Sequence, residues 1–454
     1  MAEPAIEAVV DEGLGNSAYL VNLGDGRALA VDVSRDLRAV RSAARRSGLS
    51  IAFAADTHLH ADFLSGARQL AAEDGAQVLA SAAGLREFDH LGLSDGDEVD
   101  LGGLTLRAWA TPGHTFEHTS YLLADGAEVI AVFTGGSLLV GSAARTDLAG
   151  PRQAEPLARA QYASLQRLLS LPDDTAIYPT HGAGSFCSAP PGAERITTIG
   201  RERAANPLLA VADEDAFVKA LTDSLGSFPP YFLRLAEQNR RGAAVLASRP
   251  ALPPLTPAEV RRMISDGAQV IDVRTVQSYA AGHIRGSLAI PLRPAFASWL
   301  GWLVTDPGTA LVIVAEPDND LTDLVWQAAK IGYENLAGVL AGGIPAWLAT
   351  GEPVASIPLT SAASVEPASV VDVRLAAEYG DGHLPRARCV ELGRLAGVAA
   401  DLADGPVVTM CGHGERAATA ASVLERAGIT DVAILPGGPD DWARATGRAL
   451  EAGV

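Results

Sequence analysis

An internal repeat in the second half of the chain is the feature that most limits its fold. Val-Ile-Asp-Val-Arg at 270–274, followed by Gly-His-Ile at 282–284, returns one hundred residues later as Val-Val-Asp-Val-Arg and Gly-His-Leu. Gly-Gly-Ile-Pro-Ala-Trp at 342–347 returns, ninety-five residues later, as Gly-Gly-Pro-Asp-Asp-Trp. Each copy alternates short apolar strands with helical stretches, which is typical of a small α/β unit with a mainly parallel sheet. The repeat therefore predicts two copies of one fold.

Length and composition set the outer limits. A chain of 454 residues is too long for one ordinary core, and Pro-rich segments at 250–257 and 352–367 read as linkers. We therefore predict three domains, at residues 1–249, 256–352 and 364–454. A net charge of -19 argues against nucleic acid or an anionic membrane as partner. The acidic N-terminus lacks a signal-peptide pattern, and three scattered cysteines do not form a disulfide framework, so we expect a reducing cytoplasm.

Cys411 is the best candidate nucleophile. An apolar run at 407–410 delivers it into a turn containing Gly412 and Gly414, and Arg416 then opens a helix with a regular apolar stripe. Backbone N–H groups and the positive end of the helix dipole favour a thiolate at this place. The alternative is a buried packing cysteine at a strand end, which is how we interpret Cys187 and Cys389.

The repeat and this loop together resemble the rhodanese family, most specifically in the second copy. The resemblance implies that Cys411 carries sulfane sulfur as a persulfide, that Gly412, His413, Gly414 and Glu415 form the surrounding loop, and that Arg416 orients this loop and favours the anionic forms. The implied partners are a low-molecular-weight thiol persulfide or another sulfane-sulfur donor, and a thiol acceptor. A loop of six residues from Cys411 to Arg416 favours sulfur over the larger phosphate. Glu415 disfavours a strongly anionic donor.

The first copy departs from this pattern. Under the ninety-five-residue offset, Glu316 lies over Cys411 and Leu321 over Arg416. A carboxylate at this place cannot hold a persulfide, so we predict that residues 256–352 are catalytically inactive. Asp272, Arg274 and His283, like their second-copy counterparts, are then expected to hold the fold.

Several histidines of the first 245 residues follow strand-like apolar runs. His58, His60 and Asp62 come after one run, His114 after a second in Pro-Gly-His-Thr, and His181 after a third. Loops that converge from several strand ends, with imidazole and carboxylate groups, are typical of a metal site.

These segments resemble the metallo-β-lactamase superfamily and, within it, the persulfide dioxygenases fused to rhodanese domains. The fold class implied is α/β, with an N-terminal αββα metallo-β-lactamase sandwich followed by two rhodanese-like α/β domains. In this family a mononuclear iron is held by residues that correspond to His58, His114 and an aspartate after Thr-Gly. Here Gly136 stands in place of the aspartate, and Phe63 replaces the final histidine of the first motif. The sequence therefore predicts a degraded iron site, in a domain that serves for substrate binding or docking.

Three other functions remain open. One is an active iron-dependent persulfide dioxygenase with an altered ligand set, in which Asp62 or His181 completes His58 and His114. Another is a non-enzymatic sulfur-sensing or scaffold protein. A metallo-hydrolase ranks last, because Phe63 and Gly136 remove two of its ligands. By analogy with related fusions, the chain is a candidate homo-oligomer.

Overall fold

The computed structural model describes residues 5–187, 194–247, 250–403 and 405–453. The outermost residues of the predicted first and third domains (1–4, 248, 249 and 454) lie outside this description. The chain divides into two compact units: residues 1–249 with 326–332, and residues 250–325 with 333–454. Apart from residues 326–332 of the first copy, both copies of the repeat lie in the second unit, so their separate boundaries stay a prediction. Within the described ranges, every helix is too short or too polar to cross a bilayer.

The first unit is built on fourteen strands. They are β1 (Ile6–Asp11), β2 (Asn16–Asn22), β3 (Arg27–Val31), β4 (Ser50–Asp56), β5 (Gln77–Ser81), β6 (Leu91–Leu93), β7 (Glu98–Asp100), β8 (Leu104–Ala110), β9 (Thr119–Asp125), β10 (Glu128–Gly135), β11 (Leu138–Leu139), β12 (Ser142–Ala143), β13 (Ala176–Pro179) and β14 (Thr197–Thr198). Two six-stranded sheets result, in the orders β1-β2-β3-β4-β5-β6 and β14-β13-β10-β9-β8-β7.

The same unit contains six helices. They are α1 (Arg38–Arg46), α2 (Ala67–Asp74), α3 (Pro151–Leu168), α4 (Ile199–Ala205), α5 (Glu214–Asp223) and α6 (Phe232–Arg241). Side chains such as Tyr19 and Phe133 form the core between the two sheets. Val40 and Leu70 pack α1 and α2 on the first sheet, and Leu165 and Phe217 pack α3 and α5 on the second. This layering is the αββα sandwich that the sequence predicts.

The sandwich brings the predicted metal-site residues to neighbouring strand ends. His58 follows β4, His114 follows β8, Gly136 follows β10 and His181 follows β13. β4 runs parallel to β3 and β5, and β10 runs parallel to β13. Loops after parallel strands emerge at one edge of a sheet, which is why residues far apart in sequence meet here.

The first copy of the repeat has five strands and five helices. They are β15 (Pro254–Leu255), α7 (Pro257–Ser265), β16 (Gln269–Asp272), α8 (Val276–Ala281), β17 (Leu288–Ala289), α9 (Phe296–Leu303), β18 (Leu311–Val314), α10 (Leu321–Lys330), β19 (Leu336–Leu340) and α11 (Gly343–Ala349). The sheet order is β15-β19-β18-β16-β17, and its pairings are parallel.

The second copy repeats this plan, with a single parallel bridge between Leu359 and Ile434 in place of the pairing of β15 with β19. Its elements are β20 (Val370–Asp372), α12 (Ala376–Gly380), β21 (Arg388–Cys389), α13 (Leu395–Val398), β22 (Val407–Met410), α14 (Glu415–Arg426), β23 (Val432–Ile434) and α15 (Pro439–Thr446). The parallel sheet has the order β21-β20-β22-β23.

The residues that carry the repeat brace both copies in the same way. In the first copy Arg274 donates to Asp272 and to the carbonyl oxygen of Gly282, both at 2.7 Å. Arg374 makes the corresponding two contacts at the same distances. Each brace ties a strand end to the turn after the next helix, which supports the predicted fold-holding role of these residues.

The two Pro-rich segments also pair with strands of the sheets that they adjoin. Residues 254–255 form β15, which pairs with β19 at the edge of the first sheet. Ala355 pairs with His283 of the first copy, and Leu359 pairs with Ile434 of the second. Proline lacks an N–H but is accepted at a sheet edge, so Pro-rich sequence here marks edge positions.

Candidate functional site

Cys411 lies between a strand end and a helix start. β22 ends at Met410, and α14 begins at Glu415 with Gly414 as its N-cap. The N–H of Gly414 donates to Cys411 Sγ at 3.1 Å. Cys411 itself is 1% exposed. The sulfur thus sits at the N-terminal end of a twelve-residue helix, where partial positive charge stabilises an anion.

Two glycines allow this loop to close. Gly414 has a φ of +101°, and a Cβ added there would lie 2.9 Å from Pro436 Cα. A Cβ at Gly438 would lie 2.7 Å from the carbonyl oxygen of Gly412. The Gly-Gly motif before Trp442 therefore lets its own backbone pack closely against the backbone of the Cys411 loop.

Arg416 is engaged by a carboxylate that the sequence analysis did not identify. Its two terminal nitrogens donate to the two oxygens of Glu378 at 2.6 and 2.7 Å. Burial acts to lower the pKa of Arg416, but the Glu378 hydrogen bonds outweigh it and raise the pKa, with a smaller contribution from Cys411. In Glu378 burial opposes the same hydrogen bonds, which hold its pKa below the ordinary value of 4.5. These contacts hold the side chain of Arg416, which lies in the first turn of α14, against Glu378.

The rest of the loop is more open. His413 is exposed, and Gly412 and Glu415 are half-buried. The side chains of His413 and Glu415 are therefore the most open part of the loop.

The first copy keeps a differently bonded loop. Glu316 accepts a hydrogen bond from Ser278, and its N–H donates to Asn319 Oδ1 at 2.8 Å. Under the repeat offset Ser278 corresponds to Glu378. Ser278 thus contacts the residue that aligns with Cys411, whereas Glu378 contacts Arg416, which aligns with Leu321.

Three buried histidines converge in the first unit. His58, His114 and His181 are each 1% exposed. Their ring centroids are 4.8 Å (His58 to His114), 5.4 Å (His58 to His181) and 5.3 Å (His114 to His181) apart. One ring nitrogen from each lies within 4.8 Å of the other two, so this group is able to hold a metal ion. Burial and nearby imidazoles hold the pKa of His58 well below its ordinary value, and burial lowers the pKa of His114 to about 3.

The ligand set that the family resemblance implies does not fit here. Gly136 offers no carboxylate, and a Cβ on it would lie 2.3 Å from His114 Cδ2, so the imidazole ring fills the space beside this backbone. Phe63 stacks on His60 with ring centroids 4.1 Å apart. The His60 ring lies 4.2 Å from the ring of His58, and its Nε2 atom lies 3.1 Å from Asp32 Oδ1, so this nitrogen faces a carboxylate.

Asp62 and Cys187 flank His181. Asp62 Oδ2 is 3.4 Å from His181 Nδ1, and the Cys187 sulfur lies within 4.8 Å of both residues' ligand atoms. Burial acts to raise the pKa of Asp62, but the His181 imidazole outweighs it and lowers the pKa to about 2. Burial raises the pKa of Cys187. The interpretation of Cys187 as a plain packing residue missed this neighbourhood.

Known proteins match both units. The rhodanese-like domain family matches residues 256–350 and 360–445. The mitochondrial persulfide dioxygenase ETHE1 of Homo sapiens is 32% identical over 176 residues, which cover 38% of this chain and 62% of that protein. A hydroxyacylglutathione hydrolase of Methylobacterium sp. (strain 4-46) is 34% identical over 244 residues, covering 48% of this chain and 91% of the hydrolase.

A solved structure matches a larger share of this chain than these two relatives do. The metallo-beta-lactamase of Staphylococcus aureus subsp. aureus COL has a TM-score of 0.66 and 26% identity, and the alignment covers 75% of this chain and 99% of that one. Among curated relatives the matched share of the other protein ranges from 43% to 91%, and it is less than two thirds for the human enzyme.

The αββα sandwich, the two repeated α/β domains and these matches agree in type and in order along the chain. The chain therefore belongs to the family of metallo-β-lactamase-fold, persulfide dioxygenase-like proteins fused to rhodanese-like domains.

Proposed function

We propose that the chain takes part in sulfane-sulfur metabolism as a sulfurtransferase, with Cys411 carrying the sulfur as a persulfide. The observation that carries this proposal is the hydrogen bond from the Gly414 N–H to Cys411 Sγ, at the start of α14. A thiolate and a persulfide anion both gain from this donor and from the helix dipole. The rhodanese-like match over residues 360–445 and the similarity to a persulfide dioxygenase support the same substrate class.

The reaction consists of two displacements. The Cys411 thiolate attacks the outer sulfur of a donor persulfide R–S–SH. The new Sγ–S bond forms as the donor S–S bond breaks, and RS⁻ leaves with the electron pair while the proton stays on the transferred sulfur. An acceptor thiolate R′S⁻ then attacks this sulfur, which yields R′–S–SH and restores the Cys411 thiolate. The reaction exchanges one sulfur atom between two thiols without net oxidation.

The other loop residues have supporting roles in this proposal. Gly412 and Gly414 let the backbone approach the sulfur, and Arg416 positions the loop through Glu378. His413 and Glu415 border the approach path and disfavour strongly anionic donors through the Glu415 charge. All three cysteines are free thiols, which suits work in a reducing compartment such as the cytoplasm.

The direct test is mass spectrometry of the full chain after exposure to glutathione persulfide. We expect one added sulfur atom on the peptide that contains Cys411, and its loss when a thiol acceptor is added. The peptides containing Cys187 and Cys389 serve as internal controls. Sulfur found only on those peptides, or on none of the three, would overturn the proposal.

The Glu378→Gln variant tests the positioning role of the ion pair. Because glutamine keeps the shape but not the charge, Arg416 is less firmly held, and we expect sulfur transfer to fall roughly tenfold. Glu378 is 39% exposed, so the loss of stability is expected to be about 1 kcal/mol or less.

The pH dependence of the stability difference between wild type and Glu378→Gln provides the control. The pKa of Glu378 is lower in the folded chain than its ordinary value of 4.5. The stabilising contribution is therefore fully present above pH 4.5 and is lost as the pH falls through the lower, folded value. The melting-temperature difference between wild type and Glu378→Gln should be constant above pH 4.5 and shrink below it. A difference that grows on acidification would contradict this assignment.

A further inference from the structure

We propose that a cleft in the first unit binds a small polyvalent phosphate, either free or carried by a nucleotide. The cleft has a volume of about 300 Å³, which is the lower end of the range for small-molecule sites, about 300–1,000 Å³. Side chains of α1 and α2 line it together with Leu246 and Trp326. Trp326 belongs to the segment 326–332, which is part of the same compact unit. The inference stands apart from the sulfur chemistry proposed for Cys411.

Arginine side chains dominate this lining, and we call the site the arginine cleft. Arg38, Arg41 and Arg45 stand three and four positions apart in the sequence, so they share one face of α1. The opposite face, which includes Val40 and Ala44, packs in the hydrophobic core of the first sheet. The helix thus presents a basic face to the cleft.

The segment that carries these arginines is basic within an acidic chain. Residues 35–46 contain five arginines and one aspartate, whereas the whole chain has a net charge of -19. Arg35 also lines the cleft and is 2% exposed, and its Nη2 donates to the carbonyl oxygen of Ala244 at 2.6 Å. Because a guanidinium stays charged even when it is buried, positive charge is concentrated in the arginine cleft.

The carboxylates beside the cleft hold two of its arginines. Arg38 Nη2 lies 2.6 Å from Asp36 Oδ2. Arg41 Nη2 lies 2.6 Å from Glu73 Oε2 and also contacts Asp74. Glu73 and Asp74 are 43% and 36% exposed, and ion pairs of exposed groups contribute little stability. A bound anion can therefore replace these carboxylates as the partner of Arg41.

Two buried N–H groups of the lining lack an acceptor. Neither Trp326 Nε1 nor Arg41 Nε has a hydrogen-bond partner among the residues that the structure describes. Indole and guanidinium nitrogens only donate hydrogen bonds, so the group that satisfies them must be an acceptor. The Arg38 guanidinium lies over the Trp326 ring, 5.8 Å from its centroid, and this cation–π contact holds a charge beside an unsatisfied donor.

These donors and charges indicate the class of ligand. Guanidinium groups bind oxyanions through paired hydrogen bonds, and they suit phosphate especially well. A phosphate group offers three strong acceptor oxygens, so one ligand can neutralise arginines and satisfy the indole N–H together. The volume of the cleft suits a small molecule, and the net charge of the chain disfavours nucleic acid.

The test is isothermal titration calorimetry of the full chain with pyrophosphate, with adenosine 5′-diphosphate and with adenosine. We expect one pyrophosphate per chain, with an affinity that falls as the salt concentration rises. Tighter binding of adenosine 5′-diphosphate than of pyrophosphate would assign the phosphate to a nucleotide, and equal binding would assign it to a free oxyanion. Adenosine that binds as tightly as its diphosphate would overturn the proposal.

Arg45→Gln and Arg46→Gln form a matched pair, because adjacent residues of one helix lose the same charge. Arg45 lines the cleft, is exposed, and makes no ion pair within the part of the chain that the structure describes. Arg46 lies outside the lining and donates to Glu7 at 2.7 Å. We expect pyrophosphate binding to weaken about tenfold in Arg45→Gln and by less than about twofold in Arg46→Gln.

Trp326→Phe tests the unsatisfied donor, because phenylalanine keeps an aromatic ring and removes the N–H. Binding should again weaken about tenfold, and thermal unfolding of each variant shows whether its fold is intact. Equal weakening in Arg45→Gln and Arg46→Gln, or wild-type affinity in Trp326→Phe, would overturn the assignment. Absence of saturable pyrophosphate binding to the folded wild-type chain would refute the site and leave the Cys411 proposal untouched.

Discussion

Replacing Cys411 with serine is expected to reduce sulfur transfer by about 10³-fold or more, because the variant loses the atom that carries the sulfur. Serine is close in size, and its hydroxyl oxygen can accept the Gly414 N–H that now reaches Sγ at 3.1 Å. The fold should therefore persist, with the same far-UV circular dichroism and nearly the same melting temperature. The measurement is the rate of sulfur transfer from glutathione persulfide to a second thiol.

Cys389→Ser is the matched control for this experiment. Cys389 is a free, half-buried thiol in β21 of the same domain, so it shares the redox environment without the loop. Its replacement should leave transfer unchanged. Full activity in Cys411→Ser, or equal losses in the two variants, would exclude Cys411 as the sulfur carrier.

A Gly414→Ala chain is expected to lose about 100-fold or more in transfer rate while retaining Cys411. An alanine at a φ of +101° is strained, and its Cβ would lie 2.9 Å from the Pro436 backbone. The N-cap must shift to relieve this contact, and a displacement of about 1 Å at a reacting group can cost about 10²-fold. The donor that now points at Sγ would be displaced with it.

Gly428→Ala separates strain from geometry. Gly428 follows the other end of α14 with a φ of +88°, and an added Cβ would meet no described atom within 4 Å. This variant bears a similar left-handed strain far from the sulfur, so we expect a small loss of stability and normal transfer. The melting temperatures and transfer rates of Gly414→Ala and Gly428→Ala, measured side by side, distinguish a loss of helix stability from a displacement of the Gly414 N–H. If both lose activity equally, helix stability and not the loop position is limiting.

The sequence predicts the fold of this chain well wherever local patterns repeat. Asp272 and Asp372 mark equivalent strand ends because the alternation around them is preserved across one hundred residues. The αββα sandwich was predicted from family resemblance, and the histidines it brings together stand beside Pro/Gly turns that sequence alone shows. The pairing of Pro254 with Val339 could not be predicted, because proline occurs both in linkers and at sheet edges.

Contacts between residues that are far apart in the sequence could not be predicted from local patterns. His181 meets Asn16 across 165 positions and Arg416 meets Glu378 across 38, and such pairs are set by the order of strands in a sheet. For the pair of Arg416 and Glu378, the comparison of the two copies carries one signal. Between the copies, Leu321 changes to Arg416 as Ser278 changes to Glu378, which is a charge gained together with its partner. Cys187 carried no comparable signal.

The backbone between the two copies contributes hydrogen bonds to both of them. Ala355 exchanges two hydrogen bonds of 2.9 Å with His283, and a few residues later Ile434 bonds to Pro358 and Thr360, also at 2.9 Å. A protease cut within this short stretch would remove edge partners from both sheets. The first copy thus supports the fold of the second, although Glu316 stands at the position that corresponds to Cys411.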